Sequence, residues 1–166
     1  KLVGYADDHS VYGSFRADDP QLEKDCITSL TSSMADIKNW MSANRLKMND
    51  DKSEFIVFGS NRILPKCTSS SLPIGNIDVE RSHSIKLLGV HMDEHLNFNK
   101  HISIKARSAT LALLNIKKLK RFLDKSTSLK LANALVFSHL DYCNGLLINL
   151  PHVTLHPFQR IISFTA

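Results

Sequence analysis

Lys1-Leu2-Val3-Gly4-Tyr5-Ala6-Asp7-Asp8-His9-Ser10-Val11-Tyr12-Gly13-Ser14-Phe15 is the stretch that decides the fold. Two short apolar runs rich in β-favouring residues flank a polar break, the pattern of a hairpin with Asp7 and Asp8 at its tip. Adjacent carboxylates on a tight turn repel each other until a cation or solvent relieves them. Mg²⁺ suits that role, because it prefers one or two carboxylates together with substrate phosphates. A metal-dependent phosphoryl-transfer site is one reading. A solvated turn is the other, since Asp is a favoured turn residue, and the dipeptide alone favours the turn.

Downstream, Asp18-Asp19-Pro20 reads as a helix start, with acids before the first turn and proline inside it. Leu22, Cys26, Ile27, Leu30, Met34, Ile37 and Met41 recur at three- and four-residue steps, predicting an amphipathic helix to about Asn44. Trp40 reads as core, and Asn44 as a left-handed terminator. The unbroken apolar run Phe55-Ile56-Val57-Phe58 predicts a strand buried on both faces. Residues 60–76 read as a loop or loose hairpin, and Ile77-Asp78-Val79 is expected to pair with Ile85 to Met92. Near residue 97 the pattern turns helical. Three helices are predicted: about Asn99 to Phe122, with Ile102, Ala106, Ala109, Leu113, Ile116 and Leu123 on one face, about Ser126 (as N-cap) to Ile148, and from near Thr154 onward. The expected class is α+β: antiparallel strands with a packed helix over residues 1–96, then an all-helical region over 97–166.

The chain has 166 residues, 43% hydrophobic and 22% charged, the composition of an ordinary globular protein. No apolar run reaches the roughly 20 residues that span a bilayer. Cys26, Cys67 and Cys143 are odd in number and widely separated, which argues against a disulfide framework and fits a reducing intracellular compartment. The net charge of +5 is unevenly placed: residues 97–130 hold nine Lys and Arg against the single acid Asp124. Such a stripe suits phosphate binding, or it is a solvated lysine face. His91/His95 and His139/Cys143 are each four apart, but nothing in the sequence brings the two pairs together and no Cys-x-x-Cys exists, so zinc is not expected.

Tyr5-Ala6-Asp7-Asp8 resembles the aromatic-x-Asp-Asp motif of reverse transcriptases. Trp40 through Asn49 and Lys52 through Gly59 resemble the next palm motif of non-LTR (LINE-type) retrotransposons. Ile85 through Asp93, followed by Leu96-Asn97-Phe98 and His101-Ile102, resembles their primer-grip segment. Leu140-Asp141-Tyr142-Cys143-Asn144 and Leu150-Pro151 resemble the segment beyond it in the jockey-like branch. The four segments fall in the family's order and cover nearly the whole chain.

The resemblance implies an RNA-directed DNA polymerase, with residues 1–96 as the C-terminal part of a palm and 97–166 as the start of a helical thumb. It implies two Mg²⁺ ions (or Mn²⁺ in their place), with Asp7 as principal ligand and Asp8 as supporting ligand. Tyr5 would lie beneath the primer terminus. Lys52 would approach the incoming triphosphate and protonate the leaving pyrophosphate, while Leu88-Gly89 would press a turn against the primer backbone. Lys100, Lys105, Arg107, Lys117, Lys118, Lys120 and Arg121 would contact phosphates. The implied partners are an RNA template, a DNA primer and dNTP, with fingers and the first palm aspartate supplied by upstream polypeptide, in the cytoplasm and nucleus of a host cell. Because the family's first aspartate precedes this hairpin, the chain alone is expected to be inactive. A non-catalytic nucleic-acid-binding or scaffold module is the alternative.

Overall fold

A computed structural model describes residues 1–6 and 8–165. It is mixed α+β, with short antiparallel strand pairs and helices. The chain divides into two compact units: residues 1–88 with 93–96, and residues 89–92 with 97–166.

In the first unit, β1 (Leu2–Tyr5) pairs with β2 (Asp8–Val11), Leu2 opposite Val11 and Tyr5 opposite Asp8. Gly13 then lets the backbone press on the helix behind it, since a Cβ there would lie 2.6 Å from the Cys26 Sγ. That helix, α1 (Pro20–Ala43), starts where the Asp-Asp-Pro signal places it: the Asp19 carboxylate accepts from the Gln21 N–H at 2.9 Å. The left-handed terminator is Arg45, with φ +59°, rather than Asn44, with φ −94°. Trp40 is 62% exposed and is not core. It lies about 120° around the helix from Met34, which packs on the core.

Ile27, Leu30 and Met34 pack on Phe55, Leu72 and Ile74. Leu72 and Ile74 belong to β3 (Ser71–Ile74), which pairs with β4 (Ile77–Glu80) through a two-residue Gly75-Asn76 turn. Gly75 has φ +64°. The pairing expected between Ile77-Asp78-Val79 and Ile85 to Met92 is therefore incorrect, because local closure by this turn captures β4 first. β5 (Ser84–Leu87) and β6 (Val90–Asp93) form their own two-stranded sheet. Phe55–Phe58 is no doubly buried strand either. Only Phe55 is buried, through a parallel bridge to Arg81 and a 2.7 Å bond from the Ser82 N–H, while Phe58 is exposed.

In the second unit, Ile102, Ala106, Ala109 and Ile116 of α2 (Asn99–Leu119) form the buried line that the sequence periodicity predicts. A single 3₁₀ turn, Lys120–Phe122, continues it. The cap of α3 (Lys125–Ala132) is Asp124, not Ser126: its carboxylate accepts from the Thr127 N–H at 3.1 Å. A carboxylate at that position also complements the helix dipole. The expected helix to Ile148 ends early. A π-helical turn, Asn133–Phe137, leads into α4 (Ser138–Asp141), and Cys143 then turns left-handed with φ +56°. Val136, Leu140 and Leu147 from this segment, with Phe158 and Ile161 of α5 (His152–Thr165), close the core around α2.

The first unit depends on a buried carboxylate. Glu23, in the first turn of α1, is 2% exposed. Its two oxygens accept from the Thr68 N–H (3.0 and 3.1 Å), the Ser69 N–H (2.8 Å) and the Thr68 hydroxyl (3.2 Å). Burial pushes the Glu23 pKa up, and the bonds from Ser69 and Thr68 more than reverse this, leaving it below the ordinary 4.5. A carboxyl depressed in the folded state contributes stability that is present above its unfolded value and is lost as pH falls through the folded one. Glu23→Ala strands two backbone donors and should cost about 2–3 kcal/mol near neutral pH. Urea unfolding below pH 4.5 should show that difference shrinking; a deficit independent of pH would contradict the assignment.

Candidate active-site hairpin and basic helix

At the β1–β2 turn, Ala6 has φ +54°, the left-handed conformation that two-residue hairpin turns demand. Asp8 opens β2 directly across from Tyr5, and both are exposed. Asp7 lies outside the described residues. Gly4 sits opposite His9, and a Cβ on it would come within 3.1 Å of the His9 ring, so glycine leaves room for that imidazole across the strand. This hairpin presents the Asp8 carboxylate at its turn end, with the aromatic side chain of Tyr5 on the paired strand. Among the described residues, no group of three or more His, Cys, Asp and Glu is placed to hold a metal ion. Asp8 by itself does not make a two-metal site.

Lys52 ends a short 3₁₀ turn, Asp50–Lys52, and is exposed. The turn is fixed to α1 by a 2.7 Å ion pair between Asp50 and Lys38. A second carboxylate, Glu94, holds the chain after β6. It bonds Arg81 at 3.1 Å and the His83 Nδ1 at 3.1 Å, and its backbone carbonyl accepts from the Gly59 N–H at 2.9 Å. Burial raises the Glu94 pKa, but His83 and Arg81 outweigh it and hold the carboxyl below its ordinary value. His95 Nδ1 lies 2.9 Å from the Gly59 carbonyl oxygen, so His95 is engaged in this local structure. His91 belongs to the second unit, and the left-handed Cys143 interrupts the helical spacing from His139.

Leu88 (φ +46°) and Gly89 (φ +79°) form the turn between β5 and β6. Glycine at the second position accepts this conformation freely, whereas Leu88 carries strain. Within the second unit, β6 is tied to α2 by His101. The His101 ring is 1% exposed, and its Nδ1 accepts from the His91 N–H at 3.4 Å, leaving the neutral ring's proton on Nε2. In the sequence, His101 stands out only within the segment that resembles the primer grip. A histidine beside an apolar helical face gives no further sign that it will be buried.

The basic residues do not act as one face. Lys105 is half-buried, its ammonium 4.4 Å from the Tyr142 ring centre, and the Arg121 guanidinium stacks 4.6 Å from the Phe122 ring. Lys100, Arg107, Lys117, Lys118 and Lys120 are exposed. By helical spacing, Lys100, Arg107 and Lys118 share the side of α2 away from its core. No helix among the described residues is long and apolar enough to cross a membrane. No family model, curated protein or solved structure matches this chain.

Desolvation, then the nearby Lys105 and His91, push the His101 pKa below the ordinary 6.5. A base depressed in the folded state contributes stability that is complete above 6.5 and lost as pH falls from there toward the folded value. Unfolding in urea, followed by far-ultraviolet circular dichroism, should therefore weaken across that window. His101→Asn, which retains an acceptor without a titrating ring, should flatten the dependence. An equal acid sensitivity in the variant would place the cause elsewhere.

Proposed function

We propose that the chain is part of an RNA-directed DNA polymerase of the LINE type, residues 1–96 belonging to its palm and 97–166 to its thumb. The observation that carries this reading is the Tyr5-Ala6-Asp7-Asp8 hairpin, in which Asp8 opens a strand opposite Tyr5. The order of the three downstream segments that resemble the same family supports it. So do the exposed cations of α2 and of the turn after it.

The reaction joins the primer 3′-oxygen to the α-phosphorus of an incoming nucleotide and releases pyrophosphate. Bound divalent cations supply the charge that activates the hydroxyl and neutralises the departing oxygens. In the proposed assignment Asp7 is the principal carboxylate holding them and Asp8 the supporting one, with a further aspartate from another part of the polymerase. Tyr5 lies under the primer terminus. Lys52 gives a proton to the leaving pyrophosphate, and the Leu88-Gly89 turn bears on the primer backbone. Lys100, Lys105, Arg107, Lys117, Lys118, Lys120 and Arg121 bind phosphates without reading sequence.

Primer extension on poly(rA)/oligo(dT) tests the catalytic assignment. In a longer polypeptide that also supplies the remaining aspartate, Asp7→Asn should bring Mg²⁺-dependent incorporation to background without changing the circular dichroism spectrum, and Asp8→Asn should impair it. The 166-residue chain alone should not extend a primer. Near-normal activity of Asp7→Asn, or Asp7-dependent extension by the chain alone, would contradict the assignment.

Binding to a template–primer duplex tests the thumb. Neutralising three to five phosphates gives a slope of log K against log salt of about −3 to −4.5. Replacing Lys117, Lys118, Lys120 and Arg121 with Gln should flatten that slope and weaken all sequences alike. An unchanged slope and affinity would return these residues to a solvated face.

A further inference from the structure

The outward side of α2 is not a plain lysine face. Ile104, Arg107, Leu111, Leu114 and Lys118 of α2 follow one another at steps of three, four, three and four, Arg121 follows in the 3₁₀ turn after the helix, and all six are exposed. This alternation is the seam along which one helix packs on another. Leu111 is 54% and Leu114 48% exposed, and Phe122 extends the stripe at its end. The opposite side of the helix is fully used: Ile102, Ala106, Ala109 and Ile116 lie in the core. The seam is therefore a second apolar line on a helix already anchored by its first. From Asn99 to Leu119 the helix carries no acid at all.

We infer that this seam docks an acidic amphipathic helix of a partner protein. Leucines of the partner would meet Ile104, Leu111 and Leu114, and its carboxylates would meet Arg107, Lys118 and Arg121. The assignment goes beyond phosphate binding, because a phosphate backbone offers nothing to three aliphatic side chains. Charge selects among apolar occupants. A second copy of α2 would set Arg107 against Lys118 when antiparallel and Arg107 against Arg107 when parallel, and opposed like charges are destabilising. A bilayer surface favours cations at the margins of an apolar face, whereas Arg107 and Lys118 interrupt the centre of this one. An acidic helix satisfies both the leucines and the cations, in the helix-in-groove manner of anchors three and four residues apart.

The test uses a fluorescein-labelled synthetic helical peptide of three heptads, with leucine at the two seam positions and glutamate at the positions flanking them. Binding is read by anisotropy for the whole chain and for the Leu111→Ser/Leu114→Ser variant. Both serines would replace exposed side chains, and circular dichroism verifies the fold. The parent chain should bind the peptide, and the variant should bind it at least tenfold more weakly, while both bind a template–primer duplex equally. Four results would overturn the inference: no peptide binding, equal affinities for the two proteins, binding only to phosphatidylserine vesicles with the same leucine dependence, or a leucine-dependent dimer of the chain itself. Loss of duplex binding alone bears on the phosphate reading and leaves the seam intact.

Discussion

One carboxylate organises the first unit. Glu23 reaches from the first turn of α1 to the Thr68 and Ser69 amides, residues 45 and 46 positions further along. Those bonds fix where the chain enters β3, and β3 carries Leu72 and Ile74 into the small core that α1 covers. A core this small has few apolar contacts with which to hold a helix against a two-stranded sheet, and two-stranded hairpins are marginal by themselves. A desolvated ion with its acceptor capacity used adds direction where hydrophobic burial adds none. The same logic recurs at Asp50 and Lys38, which fix the turn bearing Lys52, and at Glu94, which gathers Arg81 and His83.

The second unit works differently. Its core is a continuous apolar cluster built on α2, with Val136 and Ala109 wholly excluded from solvent. Its polar exception, His101, accepts the His91 N–H and so gives β6 a fixed place on the helix. Burial makes this contact dependent on a neutral ring. Much of the remaining chemistry of the unit lies outside: the cations and leucines that alternate along α2 are available to partners because the inward residues already complete the core.

What the sequence made legible follows from how local each signal is. The β1–β2 hairpin, the start of α1 at Asp19 and the buried line of α2 rest on adjacent residues or on a 3.6-residue period, and the structure has all three. Strand partners did not follow from periodicity. Ile77-Asp78-Val79 alternates equally well against either neighbour, and the short Gly75-Asn76 turn decides in favour of β3. The run Phe55–Phe58 looked like a buried strand because apolar content cannot report whether a partner strand is present. Trp40 stands about 120° around α1 from Met34, enough to carry it from the core side to water. Glu23 and His101 left no usable mark, since burial of a polar side chain depends on a loop or strand distant in sequence. Of the candidate site, the Tyr5–Asp8 pairing, the left-handed turn at Leu88-Gly89 and the exposure of Lys52 have a structural place; Asp7 lies outside the described residues.

In the proposed assignment the hairpin carrying Asp7 and Asp8 binds the catalytic cation. Iron-mediated cleavage measures this without requiring turnover: Fe²⁺ replaces Mg²⁺ in the longer polypeptide bound to template–primer, and ascorbate with peroxide cuts the backbone beside the metal. Cuts should be confined to the chain around residues 5–9 and to the region supplying the remaining aspartate, and should be suppressed by excess Mg²⁺ and by Asp7→Asn. Cleavage that spares this hairpin, or that is indifferent to Asp7→Asn, would contradict it.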